Sequence, residues 1–193
     1  RIGVEQLQTT PHYLNGSGIV IGEWDGGWAD NTHQDLQGRV TIGDFGCTEG
    51  ACSIDDHATH VAGTVMGDGS LSQAKGGTPF QWRGMAPAAK LISYEWWDNP
   101  TERSNEYLQA LNTYNISIST NSWGALGFFG IYEEGAQAYY NIIRGIFGKK
   151  IPILVAEGNR GLYFSVPFST IEPPATAKNI ISVGASNSDT DTI

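Results

Sequence analysis

The chain has 193 residues, of which 40% are hydrophobic and 16% charged, a balance that is ordinary for one folded domain with a substantial core. Its 11 basic and 20 acidic residues give a formal charge of −9 at pH 7, so nucleic acid and anionic membrane surfaces are not expected partners. No apolar run approaches the ~20 residues that a transmembrane helix requires.

Strands and helices are predicted to alternate along the chain. Short apolar runs predict five strands, at Gly18–Asp25, Lys90–Trp96, Ile116–Ser122, Pro152–Glu157 and Asn179–Ala185. Apolar residues at helical spacing predict helices around Val61–Val65, Tyr107–Tyr114 and Tyr132–Phe147. This alternation predicts an α/β domain with a mainly parallel sheet that is covered on both faces.

Polar residues follow several of these predicted strands. Asp25, Ser122 and the segment Glu157–Asn159 each lie at or just past the end of an apolar run. Because the carboxyl ends of parallel strands meet at one edge of the sheet, where ligands bind, we expect these residues to line one cleft. The Asn159 amide could donate to an oxyanion there, or Asn159 could be an ordinary turn residue.

Two histidines follow an acidic loop in the run DDHATHVAGT. His57 and His60 are three residues apart, so they would share one face of a helix. Histidine titrates near neutral pH, which suits a general base. The rival interpretation is a zinc site made of Asp56, His57 and His60, although the H-E-x-x-H spacing of zinc proteases is absent.

The chain has two cysteines, Cys47 and Cys52, separated by a short loop that contains glycine. This spacing predicts a local disulfide, with a free thiol pair or a metal site as alternatives. A disulfide would indicate an oxidising compartment. Arg1 opens directly into a polar stretch, which is typical of a mature secreted protein whose leader has been removed.

Several of these segments together resemble the motifs of the subtilisin family of serine peptidases, and they occur in the family's order. HATHVAGT resembles the His motif and VIGEWDGG the Asp motif, while TNSWG resembles the substrate-binding segment and VAEGNRG the oxyanion segment. The matches cover nearly the whole chain. The resemblance implies a secreted serine endopeptidase with a three-layer, doubly wound fold that is incomplete in these 193 residues.

The resemblance also implies roles for individual residues. His57 would take the proton from a serine hydroxyl, Asp25 would fix the tautomer of the imidazole, and Asn159 would donate to the oxyanion. Two backbone segments would form the edges of the substrate groove and the walls of the first specificity pocket. Their residues are Ser122, Trp123 and Gly124 on one side, and Val155, Ala156, Glu157 and Gly158 on the other.

The family's nucleophile lies in a Gly-Thr-Ser-Met-Ala type of motif, and no serine here has that context. We therefore expect the catalytic serine beyond Ile193, on a later segment or on a second chain that carries the remainder of the protease. The expected substrate is a peptide or protein. An inactive homologue, in which the groove binds a peptide without cutting it, is the alternative.

Two further residues are singled out by the resemblance. Asp35 lies in a segment that resembles one from which the family often takes a calcium ligand, although calcium needs six to eight oxygens and one carboxylate does not make a site. No cofactor is expected for the chemistry itself. Arg160 lies beside the expected first pocket, and an arginine that pointed into it would favour acidic substrate side chains.

Overall fold

The computed structural model describes residues 3–44, 53–96, 100–160 and 170–185. Its strands are β1 (Val20–Asp25), β2 (Val40–Ile42), β3 (Lys90–Glu95), β4 (Ile118–Asn121), β5 (Ile153–Ala156) and β6 (Ile181–Val183). Its α-helices are α1 (Val4–Gln8), α2 (Asp56–Met66), α3 (Pro100–Asn112) and α4 (Glu134–Ile143), and a 3-10 turn lies at Gln73–Lys75.

The six strands form one sheet in the order β2-β3-β1-β4-β5-β6, and every neighbouring pair is parallel. The chain builds one side of the sheet from β1 through β2 and β3, then crosses to the other side for β4, β5 and β6. In such sheets a crevice opens beyond the carboxyl ends of the strands where the winding changes side. Here that position lies between β1 and β4, directly beyond Asp25.

Side chains alternate along each strand, so the apolar strands present apolar side chains on both faces of the sheet, and helices cover both faces. On one face, Ile21 of β1 and Leu91 of β3 pack with Ala62 and Met66 of α2. On the other face, residues of β1, β3 and β5 pack with residues of α3 and α4. The doubly wound, three-layer architecture expected from the sequence is therefore confirmed.

The second of these faces is built around the indole of Trp24. The ring stacks between Tyr94, at 4.7 Å between ring centroids, and Tyr107, at 3.9 Å. Its Nε1 donates to Oε2 of Glu106 over 2.9 Å. Trp24 is fully buried, so it fixes β1 immediately before Asp25, the last residue of that strand.

All five predicted strands are present, each shorter than its apolar run by one or two residues at one or both ends, whereas strand β2 and helix α1 were not predicted. Edge strand β2 has three residues, none of them fully buried, and α1 buries none of its five residues. Both lack the apolar periodicity on which the sequence prediction depends. No helix in the described part of the chain is long and apolar enough to cross a membrane.

Candidate active site

Asp25 and His57 are in direct contact at the carboxyl end of β1. Nδ1 of His57 lies 2.5 Å from Oδ1 of Asp25, so an Nδ1–H can donate to the carboxylate and leave Nε2 as a free base. The side chain of Asp25 is 2% exposed, whereas that of His57 is 58% exposed. The pair therefore has a buried acid behind an imidazole that a substrate can reach.

The N-terminus of α2 carries His57, and Asp55 holds that terminus in place. The Asp55 side chain caps the helix, with Oδ1 accepting from the backbone N–H of Ala58 over 2.9 Å. The Thr59 hydroxyl donates to the Asp55 carbonyl oxygen and also accepts from the Asp30 backbone N–H. Since Asp30 belongs to the loop after β1, these bonds connect the helix that bears His57 to the strand that bears Asp25.

The loop after β1 is joined to the segment before α2 by main-chain hydrogen bonds as well. The N–H of Trp28 donates to the Ser53 carbonyl oxygen, and the N–H of Asp55 donates to the Trp28 carbonyl oxygen, both over 2.9 Å. This short parallel bridge holds the loop after β1 close to the segment before α2. It thereby brings Asp25 and His57 into contact, although they are far apart in the sequence.

A second carboxylate lies next to the pair. Glu23 is fully buried on the same face of β1 as Asp25, and Ser93 Oγ lies 3.4 Å from its Oε2. Burial, and after it the charge of Asp25, raises the pKa of Glu23 well above its ordinary value. Burial also raises the pKa of Asp25, against the lowering effects of the His57 and Gly26 hydrogen bonds. Glu23 was not predicted as a site residue, although its alternation with Asp25 in the strand was a usable signal.

The segment Ser122–Gly124 continues past the end of β4, beside Asp25. A buried network supports it from below: Asn121 Oδ1 accepts from the Tyr139 hydroxyl over 2.8 Å, and Asn121 Nδ2 donates to Ser119 Oγ and to the Leu154 carbonyl oxygen. The ring of Trp123 stacks on Trp96 with centroids 4.6 Å apart. The hydrogen bonds of this network fix the side chain of Asn121, and with it the point from which the segment starts.

The segment Val155–Gly158 follows the neighbouring strand β5. Val155 is buried, Ala156 and Glu157 are half-buried, and Gly158 and Asn159 are exposed. A shallow cleft of about 170 Å³ lies between this strand end and the end of β4, and Val61 of α2 also lines it. The sheet therefore brings both predicted groove segments to the edge where Asp25 and His57 meet. The roles of Asn159 and of both segments stay predictions.

The sequence suggests two metal sites: zinc at Asp56, His57 and His60, which would overlap with the Asp25–His57 pair, and calcium at Asp35. Among the described residues, one trio offers ligand atoms within 4.8 Å of one another, and it consists of Asp25, Asp55 and His57 without His60. Asp35 is half-buried, and burial followed by the charge of Asp68 raises its pKa. Calcium binding at Asp35 stays a prediction. The predicted disulfide cysteines, Cys47 and Cys52, lie outside the described residues.

The comparisons with known proteins agree with this architecture. The structure of MycP1 with its N-terminal propeptide removed superimposes with a TM-score of 0.55 at 20% identity, over 81% of this chain and 46% of that one. The PatG macrocyclase in complex with peptide superimposes with a TM-score of 0.61 at 18% identity, over 96% of this chain and 62% of that one. At these identities the likeness shows the fold.

Sequence comparison extends beyond the fold. The serine protease/ABC transporter B family protein tagD of Dictyostelium discoideum is 29% identical over 145 residues, which are 68% of this chain and 7% of that protein. The chain thus spans a small part of the length of this relative. The sequence profile of the subtilase family matches residues 16–192, which is nearly all of the chain. The chain belongs to the subtilase family.

Proposed function

We propose that this chain supplies the acid, the base and the oxyanion donor of a serine endopeptidase that hydrolyses peptide bonds. The 2.5 Å contact between Asp25 and His57 carries the proposal. An imidazole that is hydrogen-bonded to a buried carboxylate on one side and open on the other is the arrangement that general-base activation of a serine requires.

In the proposed reaction, His57 Nε2 accepts the proton of a serine hydroxyl as the serine oxygen attacks the peptide carbonyl. Asp25 holds the Nδ1–H tautomer and stabilises the imidazolium that forms. Asn159 donates to the tetrahedral oxyanion. The protonated imidazole then gives its proton to the leaving amine. In the second half of the reaction His57 takes a proton from water as the water oxygen attacks the acyl group, and it returns that proton to the serine oxygen as the product acid leaves.

The nucleophilic serine belongs, in this proposal, to a segment or second chain beyond Ile193. We also propose that the protein acts outside the cell on peptide or protein substrates, with Cys47 and Cys52 forming a disulfide. The cysteine spacing supports this location, because disulfides persist in oxidising compartments.

The two histidines of α2 provide a matched test. His57 contacts Asp25, whereas His60 lies three residues further along the exposed surface of the helix. In the complete gene product, His57→Ala should reduce the hydrolysis of a fluorogenic peptide by about 10²–10⁴-fold, the usual contribution of a general base. His60→Ala should reduce it less than about threefold, because His60 has no part in the proton transfer.

The other outcomes decide against the proposal in different ways. Equal loss in both variants, together with loss of activity in a chelator, would support the metal alternative. Binding of peptide without cleavage by the wild-type protein would support a non-catalytic binding module. The comparison of the two variants requires that both melt at temperatures close to that of the wild type.

A further inference from the structure

The side chain of Glu172 lies between the two segments that we propose as the walls of the first specificity pocket. A Cβ atom placed on Gly124 would be 2.5 Å from Oε2 of Glu172, and one placed on Gly158 would be 2.6 Å from its Cδ. Glu172 therefore occupies the space that side chains at both glycines would take. The residue itself is 5% exposed, so its carboxylate lies deep between the two walls.

Main-chain hydrogen bonds fix Glu172 to both walls. Its N–H donates to the carbonyl oxygen of Glu157 over 3.0 Å, and the N–H of Ala125 donates to the carbonyl oxygen of Pro173 over 2.7 Å. One bond joins residue 172 to the wall after β5, and the other joins its neighbour to the wall after β4. The backbone that carries this carboxylate is thus fixed to both walls.

The charge of this carboxylate is incompletely compensated by the described residues. Its Oε1 is buried and accepts no hydrogen bond from any of them. Arg160 is in ion-pair range, with Nε 3.6 Å from Oε1, but its side chain is 38% exposed. An ion pair of that length with a partly solvated partner contributes little, whereas a buried carboxylate without hydrogen bonds is costly.

We infer that Glu172 makes the first specificity pocket selective for substrates with lysine or arginine before the cleaved bond. This inference rests on the proposed function, because it takes the two segments to be pocket walls. A long cationic side chain that entered between the walls would place its charge at the carboxylate and would supply the hydrogen bonds that Oε1 lacks. Arg160, which the sequence suggested as an attractor of acidic side chains, instead lies beside the acid that would repel them.

Binding of cleavage products tests the inference without requiring catalysis. Three fluorescent peptides that differ only in a C-terminal lysine, norleucine or glutamate would be titrated with the complete gene product, and fluorescence anisotropy would give their affinities. We expect the lysine peptide to bind at least tenfold more tightly than the norleucine peptide, and the glutamate peptide to bind most weakly. Glu172→Gln should reduce the preference for lysine over norleucine to less than about threefold.

Two further variants serve as controls. Glu134→Gln removes an equal charge from an exposed position in the first turn of α4 and should leave the preference unchanged. Arg160→Ala removes the competing cation and should increase the preference for lysine, and this readout holds even if Glu172→Gln does not fold.

The results separate this inference from the proposed function. Equal affinity for all three peptides, tightest binding of the glutamate peptide, a lysine preference that survives Glu172→Gln, or no binding at all would each overturn the inference. A lysine preference that Glu172→Gln removes, in a protein that cleaves nothing, would uphold the inference while the proposed hydrolysis fails. Hydrolysis without any charge preference would uphold the proposed function while the inference about Glu172 fails.

Discussion

The charge of Asp25 can be removed without changing the shape of the side chain, by Asp25→Asn. Oδ1 of Asp25 accepts from the backbone N–H of Gly26 over 2.8 Å and also lies 2.5 Å from Nδ1 of His57. An amide that placed its NH₂ group there would face the Gly26 N–H and leave a donor unpaired, at a cost of about 1–3 kcal/mol. The asparagine oxygen should therefore take the position of Oδ1 and keep the histidine tautomer.

What the variant loses is the attraction between the carboxylate and the imidazolium that forms during the reaction. Two unit charges ~4 Å apart interact by about 4 kcal/mol at an effective dielectric constant near 20. Because the His57 side chain is 58% exposed, solvent screens part of this energy. A loss of about 2–4 kcal/mol corresponds to a decrease in kcat/KM of roughly 30- to 1000-fold. An inverted tautomer would cost about 10⁴-fold instead.

The assay is kcat/KM for a fluorogenic peptide, measured with the complete gene product. Asp56→Asn is the control, because it removes the same charge one residue from His57 at an exposed position, and it should change kcat/KM by less than about threefold. Activity of Asp25→Asn within threefold of the wild type would refute the role of Asp25. A loss of 10⁴-fold or more would refute the proposed orientation of the amide.

Two further predictions concern the supports of the pair. Asp55→Ala removes the hydrogen bond that caps α2 at Ala58 and should destabilise the protein by about 1 kcal/mol, or ~2–4 °C in Tm. Asp55→Asn should retain most of the cap, so identical melting temperatures of the two variants would contradict the capping role. Burial raises the pKa of Glu23 above its ordinary value of 4.5. The folded protein therefore keeps a proton that the unfolded chain releases, and the free energy of unfolding decreases as the pH rises above that ordinary value. Glu23→Gln should therefore gain stability over the wild type between pH 5 and pH 8 in urea unfolding, and parallel pH profiles would contradict the burial of an uncompensated acid.

The parts of the fold that could be predicted are those with a local signal. The strand ending at Asp25 follows from an apolar run, and the helix that carries His57 follows from apolar residues at helical spacing. Edge strand β2 could not be predicted, because three partly exposed residues form a strand here only by pairing with β3. Its partner lies about fifty residues away in the sequence, where no local pattern reports it.

The candidate site divides in the same way. Asp25 and His57 were predicted through their motifs, and Glu23 was missed although its place two residues before Asp25 puts it on the same face of the strand. Glu172 had no comparable signal. Its place between the two walls depends on hydrogen bonds made to Glu157 and by Ala125, which are contacts of the folded chain and leave no pattern in the sequence.

Fluorophosphonate labelling of the complete gene product, followed by peptide mapping, tests the central claim most directly. We expect one modified serine, located beyond residue 193 or on a co-purifying chain, and we expect His57→Ala to abolish the modification while His60→Ala preserves it. A modified serine within residues 1–193, or labelling that does not depend on His57, would contradict the account of how this chain takes part in catalysis.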